Sequence, residues 1–317
     1  MPGLDDAATI AVMGCMGAKP GESMLIIVDE GTRRIGSALF DAGRSAGLEA
    51  MLVEMLPRTR NGEEPPRGIA EIMKHVDIVL APTSKSLSHT VAREEASRAG
   101  VRCATLPGIT DDCMARCLAA DYAAVAARSR KYADILTRGS NVRITNADGT
   151  DLLLVIEGRR GEPDTGILHE RGAFGNLPAG EAYIAPLEGK ASGVFVADGA
   201  MAGREYVGDK ICIEVEGGYA VAIEGGEAAK ALETIIAPLG MAARNIAELG
   251  IGTNEMAVLT GSVLEDEKVM GTIHIAIGDN SHMGGVVSVP SHLDGIVLAP
   301  TVVVDGVTIM ESGKFTD

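Results

Sequence analysis

Residues 24–54 read MLIIVDEGTRRIGSALFDAGRSAGLEAMLVE, and this stretch decides the fold of the first half of the chain. Met24–Val28 is a short, unbroken apolar run rich in β-branched residues, the pattern of a strand buried on both faces. Thr32 then opens a helical spacing through Ile35, Ala38, Leu39 and Ala42 that closes at Gly47, and Ala50–Glu54 supplies the next strand. Strand, helix and strand in succession predict two parallel strands joined by a crossover. Outward from there the alternation continues. Arg58–Arg67 reads as an exposed loop, Ile69–Lys74 as a short helix, Ile78–Leu80 as a strand and Ser88–Arg98 as a helix. Val101–Thr105 is a further strand, and Asp111–Leu136 reads as one long helical stretch. Residues 1–140 are therefore expected to form a Rossmann-like α/β domain with a largely parallel sheet. A dinucleotide site is not expected there. Asp29-Glu30-Gly31-Thr32 follows the first strand in place of a glycine-rich phosphate loop, and two acids at that mouth would repel a phosphate.

Past residue 140 the period changes. Ser140–Ile144 and Asp151–Ile156 alternate apolar and polar residues around Asn146-Ala147-Asp148-Gly149, a strong hairpin-turn signal. Further strands are predicted at Val194–Val196, Lys210–Glu216, Tyr219–Ile223, Met270–Ile277, Gly285–Val289 and Gly295–Val304, with a helix over Glu227–Ala237. Residues 141–317 are expected to be a β-rich α+β domain.

Of the 317 residues, 46% are apolar and 23% charged, a globular composition. Lys and Arg total 28 against 44 Asp and Glu, a net charge of −16 that argues against nucleic acid and anionic membrane as partners. With 4 Phe, 5 Tyr and no Trp, aromatic platforms for stacked bases are lacking too. The acidity is lopsided. Residues 1–140 hold 17 basic and 18 acidic residues, whereas residues 141–317 hold 11 and 26. Most of that excess reads as solvated surface, but it locates the half in which carboxylates can converge on a cation. The start of the chain lacks a signal-peptide pattern, and no apolar run is long enough to span a bilayer. Five cysteines, an odd number in a long chain, read as reduced thiols of a cytoplasmic protein. Cys113 and Cys117, four apart, read as the core face of a helix.

The chemistry is expected from four segments of the second half. In a strand, residues i and i+2 share a face, so His292 and Asp294 of Ser291-His292-Leu293-Asp294 can meet one ion. His274 is a single imidazole in the apolar run 271–278, GTIHIAIG. Glu181 lies in GNLPAGEAYIAP (175–186) and Glu248 in IAELGIGTN (246–254), settings where a buried carboxylate is costly unless paired or metal-bound. The plainer alternatives are a hydrogen-bonded core histidine and acids exposed at turns. Taken together, two imidazoles and three carboxylates suit one or two borderline divalent ions, with a carboxylate able to bridge a pair.

In order and chemical type these segments resemble the metal-ligand segments of the aminopeptidase T (thermophilic leucyl aminopeptidase) family of metallopeptidases. The likeness rests on Leu177-Pro178-x-x-Glu181 with Ala185-Pro186, and on Glu248 after Ile246-Ala247. It continues through Asp266-Glu267 ahead of His274-Ile275-Ala276-Ile277-Gly278, and ends at His292-x-Asp294. The resemblance implies a homodimeric metallo-aminopeptidase, a hydrolase that removes N-terminal residues from small peptides. Glu181, Glu248, His274, His292 and Asp294 would hold one or two ions of Zn, Co, Mn or Mg, with Glu248 or Asp294 bridging. Glu255 is a candidate to hold the substrate's amino terminus. The chain departs from the family in being shorter ahead of Glu181 and between His274 and His292. It also lacks the tyrosine that typically follows the His274 equivalent, where His282 is the nearest candidate proton donor. The alternative is a related class, non-haem Fe(II) enzymes that open dihydroxypyridine rings, with His274, His292 and Asp294 as a two-His, one-carboxylate face. A non-enzymatic acidic binding protein is the third reading.

Overall fold

The computed structural model describes residues 3–201 and 210–316. The chain divides into two compact units, Met1–Ala126 with Asp164–Ala179, and Ala127–Pro163 with Gly180–Asp317. The fold class is an α/β unit with a parallel sheet followed by a β-rich unit, as the sequence pattern predicts.

The first unit is built on Ser23–Val28, whose residues from Met24 onward are all buried. It pairs in parallel with Glu49–Glu54 on one side and Ile78–Ala81 on the other. Arg102–Thr105 and Phe174–Asn176 extend the same sheet, again in parallel. The crossover helix Arg33–Ser45 buries Ile35, Ala38 and Leu39, each large apolar side chain contributing about 1.5–3 kcal/mol. Its glycines let it lie close to the strand. A Cβ on Gly36 would stand 2.3 Å from Val28 Cγ1, and one on Gly43 2.2 Å from Met24 Cε. At the mouth of the first strand the buried Asp29 accepts a hydrogen bond from Ser84 N–H at 2.6 Å.

Several boundaries differ from the sequence expectation. The long helix over Asp111–Leu136 is two helices, Asp111–Cys117 and Tyr122–Arg138. Asp121 separates them: its carboxylate accepts from the N–H groups of Ala123 and Ala124 at 3.0 and 3.2 Å, which caps a new helix. Cys113 and Cys117 are buried on the first of them. Gly285–Val289 is loop, not strand. The single strand expected over Gly295–Val304 is two, His292–Val297 and Thr301–Val304, because Ala299 takes a φ of +42° and Pro300 has no N–H to donate.

The second unit holds two sheets. One has eight strands and carries the predicted hairpin, where Asn146 Oδ1 accepts from Asp148 N–H and Thr150 N–H. The other has five strands. His292–Val297, Ile273–Gly278, Ile246–Gly252 and Glu181–Ile184 pair antiparallel in that order, with the short Glu162–Asp164 at the far edge. One face of this sheet presents Ala182, Ile184, Leu249, Ile251, Ile273, Ile275, Ile277 and Val297 to the core. The opposite face is where the carboxylates and imidazoles emerge. Among the described residues no helix is long and apolar enough to cross a membrane.

The two sheets of this unit are tied at Asp198. Its N–H bonds to Ile296 O, and its carboxylate accepts from Leu298 N–H at 2.7 Å and from Asn146 Nδ2 at 3.1 Å. Burial, with a further push from neighbouring Asp148, raises its pKa to about 6 even though Leu298 N–H pulls the other way. A raised pKa in the folded state means that the folded state binds more protons, so stability falls as pH rises from about 4 through about 6. The D148N variant is expected to lower the Asp198 midpoint and flatten this part of the profile, read from melting temperature against pH in both proteins.

Candidate metal centre

Strand alternation explains how the site is built. Register places Gly252 opposite Glu181, Gly250 opposite His274, and Ala276 opposite both Glu248 and Asp294. Gly278 is opposite His292. Large polar side chains on this face thus alternate with Gly or Ala on the neighbouring strand, which leaves room for them to converge. At Gly250 the room is essential: a Cβ there would lie 2.0 Å from the imidazole of His274. Strict alternation would set Ile246 and Glu248 on one face. A bulge between them breaks the register, so that Ile246 joins the apolar core while Glu248 turns to the site.

Glu248 is the hub. Its Oε1 lies 3.4 Å from His274 Nε2 and its Oε2 3.0 Å from His292 Nε2. Glu181 Oε2 approaches His274 Nε2 at 3.5 Å, and Asp294 Oδ1 approaches His292 Nε2 at 3.3 Å. All five residues singled out from the sequence are therefore brought together. Their donor atoms form two trios, Glu181/Glu248/His274 and Glu248/His292/Asp294, each with ligand atoms within 4.8 Å of one another. The two imidazoles stand on opposite oxygens of Glu248, one in each trio. The first trio is deep, with His274 1% exposed, whereas His292 is 31% exposed and marks the open side.

Lys268 and Asp279 were not assigned roles from the sequence. Lys268 is buried and its Nζ donates to Glu181 Oε1 at 2.6 Å and Glu267 Oε2 at 3.1 Å. His292 Nδ1 is 2.7 Å from the backbone O of Asp279, which makes Nδ1 the protonated nitrogen and turns Nε2 toward the carboxylates. Glu255 lies outside both trios, ion-paired with Arg128, and His282 is exposed on the turn Ser281–Met283.

The residues fit a divalent cation. Glu181 Oε2, Asp294 Oδ1 and His274 Nδ1 are buried without a hydrogen-bond partner, an arrangement that is costly for carboxylate oxygens unless a cation lies nearby. Burial alone would raise Glu248, but hydrogen bonds and charge from His274 and His292 hold it down at about 2. Burial likewise opposes charge on His274, yet Glu248 and Glu181 lift it to about 9. His292 is raised as well, against burial, by Asp294 and Glu248. Protons on the imidazoles are balancing an excess of buried negative charge that a metal ion can balance in their place. Mixed imidazole and carboxylate donors suit Zn, Mn or Fe.

The whole chain can now be compared with known proteins. The sequence profile of the NicX family, 2,5-dihydroxypyridine 5,6-dioxygenase, matches residues 8–317, and the chain belongs to this family. In fold it is similar to the 2,5-dihydroxypyridine dioxygenase from Pseudomonas putida KT2440. The TM-score is 0.85 at 18% identity, over 99% of this chain and 96% of that one. It is also similar to AmpT from Thermus thermophilus, with a TM-score of 0.72 and 17% identity over 99% of both chains. No curated protein sequence matches it. The metallo-aminopeptidase expected from the sequence is thereby corrected. AmpT shares the fold, but the family match is to a dioxygenase, an oxidoreductase, so the hydrolase and protease assignments fall, and with them the role considered for Glu255.

Because Glu248 belongs to both trios, E248Q is expected to lower metal content more than H274A or H292A, each of which touches one. Loss of a ligand should weaken binding at least as much as loss of an outer-shell partner, about 10–100-fold. Elemental analysis of purified variants, with circular dichroism to confirm folding, checks the order. Full metal content in all three would contradict the assignment.

Proposed function

We propose that this chain is an Fe(II)-dependent dioxygenase that opens a dihydroxylated pyridine-type ring, with its chemistry in residues 141–317 and a homodimer as its working form. The observation that carries the reading is the family match along the chain, joined to a buried His and carboxylate cluster open to solvent at His292. Glu248, His292 and Asp294 would hold the ion on the open side, and His274 with Glu181 would complete the inner side. A bound ferrous ion supplies the redox chemistry that lets dioxygen react with an electron-rich ring.

The protein's own groups do the rest. Asp279 O holds the His292 ring in one tautomer. Lys268 offsets the charge of Glu181 and Glu267, so that carboxylates can crowd together without expelling one another. Burial pushes Glu267 up to about 8, against the pull of Lys268 and with the help of Asp294 and Glu181. In the overall reaction one ring carbon–carbon bond breaks and both oxygen atoms of O2 enter the product. The ring is oxidised and O2 is reduced, so no external reductant is required.

Protein reconstituted anaerobically with ferrous iron and then given 2,5-dihydroxypyridine in air is expected to consume one O2 per ring opened. Loss of the substrate's ultraviolet absorption and oxygen-electrode traces should agree, and H292A should reduce the rate at least about 100-fold. Iron-loaded protein that leaves the ring intact would overturn the substrate assignment.

A further inference from the structure

The strand that carries His274 ends at Gly278 and the strand that carries His292 and Asp294 begins at His292, opposite it. Between them residues 279–291 form a loop at the open side of the metal centre. A loop of this length has no intrinsic reason to hold one shape. Here both its ends converge on Asp279 and Asn280. Asp279 N–H bonds to Ser291 O, and its carboxylate accepts from Val289 N–H at 3.0 Å and from Ser281. Asn280 is fully buried. Its Oδ1 accepts from Val287 N–H at 3.0 Å, and the chain wraps it so tightly that a Cβ on Gly285 would sit 2.0 Å from its Cγ.

The loop is then fastened from outside itself by an ion pair. Glu188 Oε1 accepts from Asn280 Nδ2 at 2.9 Å and from Val286 N–H at 2.8 Å. Glu188 Oε2 pairs with Arg159, whose other guanidinium nitrogen donates to Gly284 O. Both side chains are largely buried, at 13% and 18% exposure for Arg159 and Glu188, so the pair is well shielded from water and salt. Neither residue touches a proposed metal ligand. Their reach to the centre is indirect, through the loop to Asp279, whose backbone oxygen holds His292 Nδ1.

We infer that Glu188 and Arg159 are positioning residues: they clamp the 279–291 loop so that Asp279 O fixes the tautomer and angle of His292 at the metal centre. The inference rests on the metal-centre reading above. Groups of this kind orient a metal-bound imidazole, and their removal typically lowers metal affinity about 10–100-fold.

The test uses the full chain, with Co(II) as the probe because its visible spectrum reports a change of imidazole ligation. In metal-free E188A, hydrogen exchange at the amides of Val286 and Val287 is expected to quicken at least about tenfold. Co(II) affinity should fall about tenfold or more, with an altered spectrum and unchanged far-ultraviolet circular dichroism. E188Q keeps an acceptor for Val286 N–H and Asn280 Nδ2 and should recover most of both. R159M, which leaves those two hydrogen bonds in place, should move both readouts in the same direction by less, and serves as the test if E188A fails to fold. Unchanged loop protection in E188A would overturn the clamp. A loosened loop with unchanged Co(II) affinity and spectrum would overturn its link to His292. Failure of the unsubstituted protein to bind Co(II) would instead overturn the metal-centre reading, and is seen before any variant is made.

Discussion

Three carboxylates emerge from one sheet face, and a fourth, Glu267, joins them from the turn after the helix Val263–Asp266. Glu181, Glu248 and Asp294 are almost wholly buried and Glu267 nearly so, and that concentration of negative charge is the constraint on which the rest of the second unit depends. Isolated carboxylates are expensive to bury, and several together more so. The fold answers with cationic groups at fixed places. Lys268 spans Glu181 and Glu267, His274 lies between Glu181 and Glu248, and His292 lies between Glu248 and Asp294. Each positive group touches two negative ones, so the array is continuous rather than a set of separate pairs. Removal of any of the three cationic groups leaves two carboxylates undercompensated, which makes the cluster poor at tolerating change and well suited to taking up a cation.

The apolar half of the same sheet makes this possible. Ile273, Ile275 and Ile277 alternate with His274, Ala276 and Gly278, so one strand supplies both the core and the site. Glycine and alanine opposite the ligands clear the space, and the bulge before Glu248 lets Ile246 join the core while Glu248 stays on the ligand-bearing face. The geometry of the site is a consequence of register. A one-residue slip of any of these strands would bury the charges in the isoleucine layer.

This explains what was readable in the residues and what was not. The parallel sheet of the first unit was legible because Met24–Val28 and its helix combine an apolar run with a helical period, both local signals. The proximity of His292 and Asp294 followed from strand periodicity alone. The other three ligand candidates stood out as lone polar residues in apolar or turn-rich settings, but nothing local says that Glu181, Glu248 and His274 come from three adjacent strands. Glu265-Asp266-Glu267-Lys268 looks like a solvated charge run, yet Glu265, Asp266 and Lys268 are all buried. Asp266 is consumed in capping the N–H groups of Thr260 and Gly261, and Lys268 reaches across the sheet to Glu181. Long-range pairing of that kind leaves no trace in composition. The break at Ala299 and the helix restart at Asp121 were missed for a different reason, because one residue's backbone or cap outweighed the period around it.

The choice between hydrolase and oxygenase turns on a similar point. AmpT and the Pseudomonas dioxygenase both match this fold over nearly the whole chain, so the fold by itself does not choose the chemistry. Resemblance read through ligand types alone led to the peptidase, and the family match overturns that reading. In this chain the ligand-bearing face has an open side at His292. That side is bounded by His292 at the head of its strand and by the loop 279–291 that precedes it. The deep trio is determined by register and has little freedom to vary. In the open trio Glu248 and Asp294 are likewise strand residues, and only His292 also bonds to the loop, through Asp279 O.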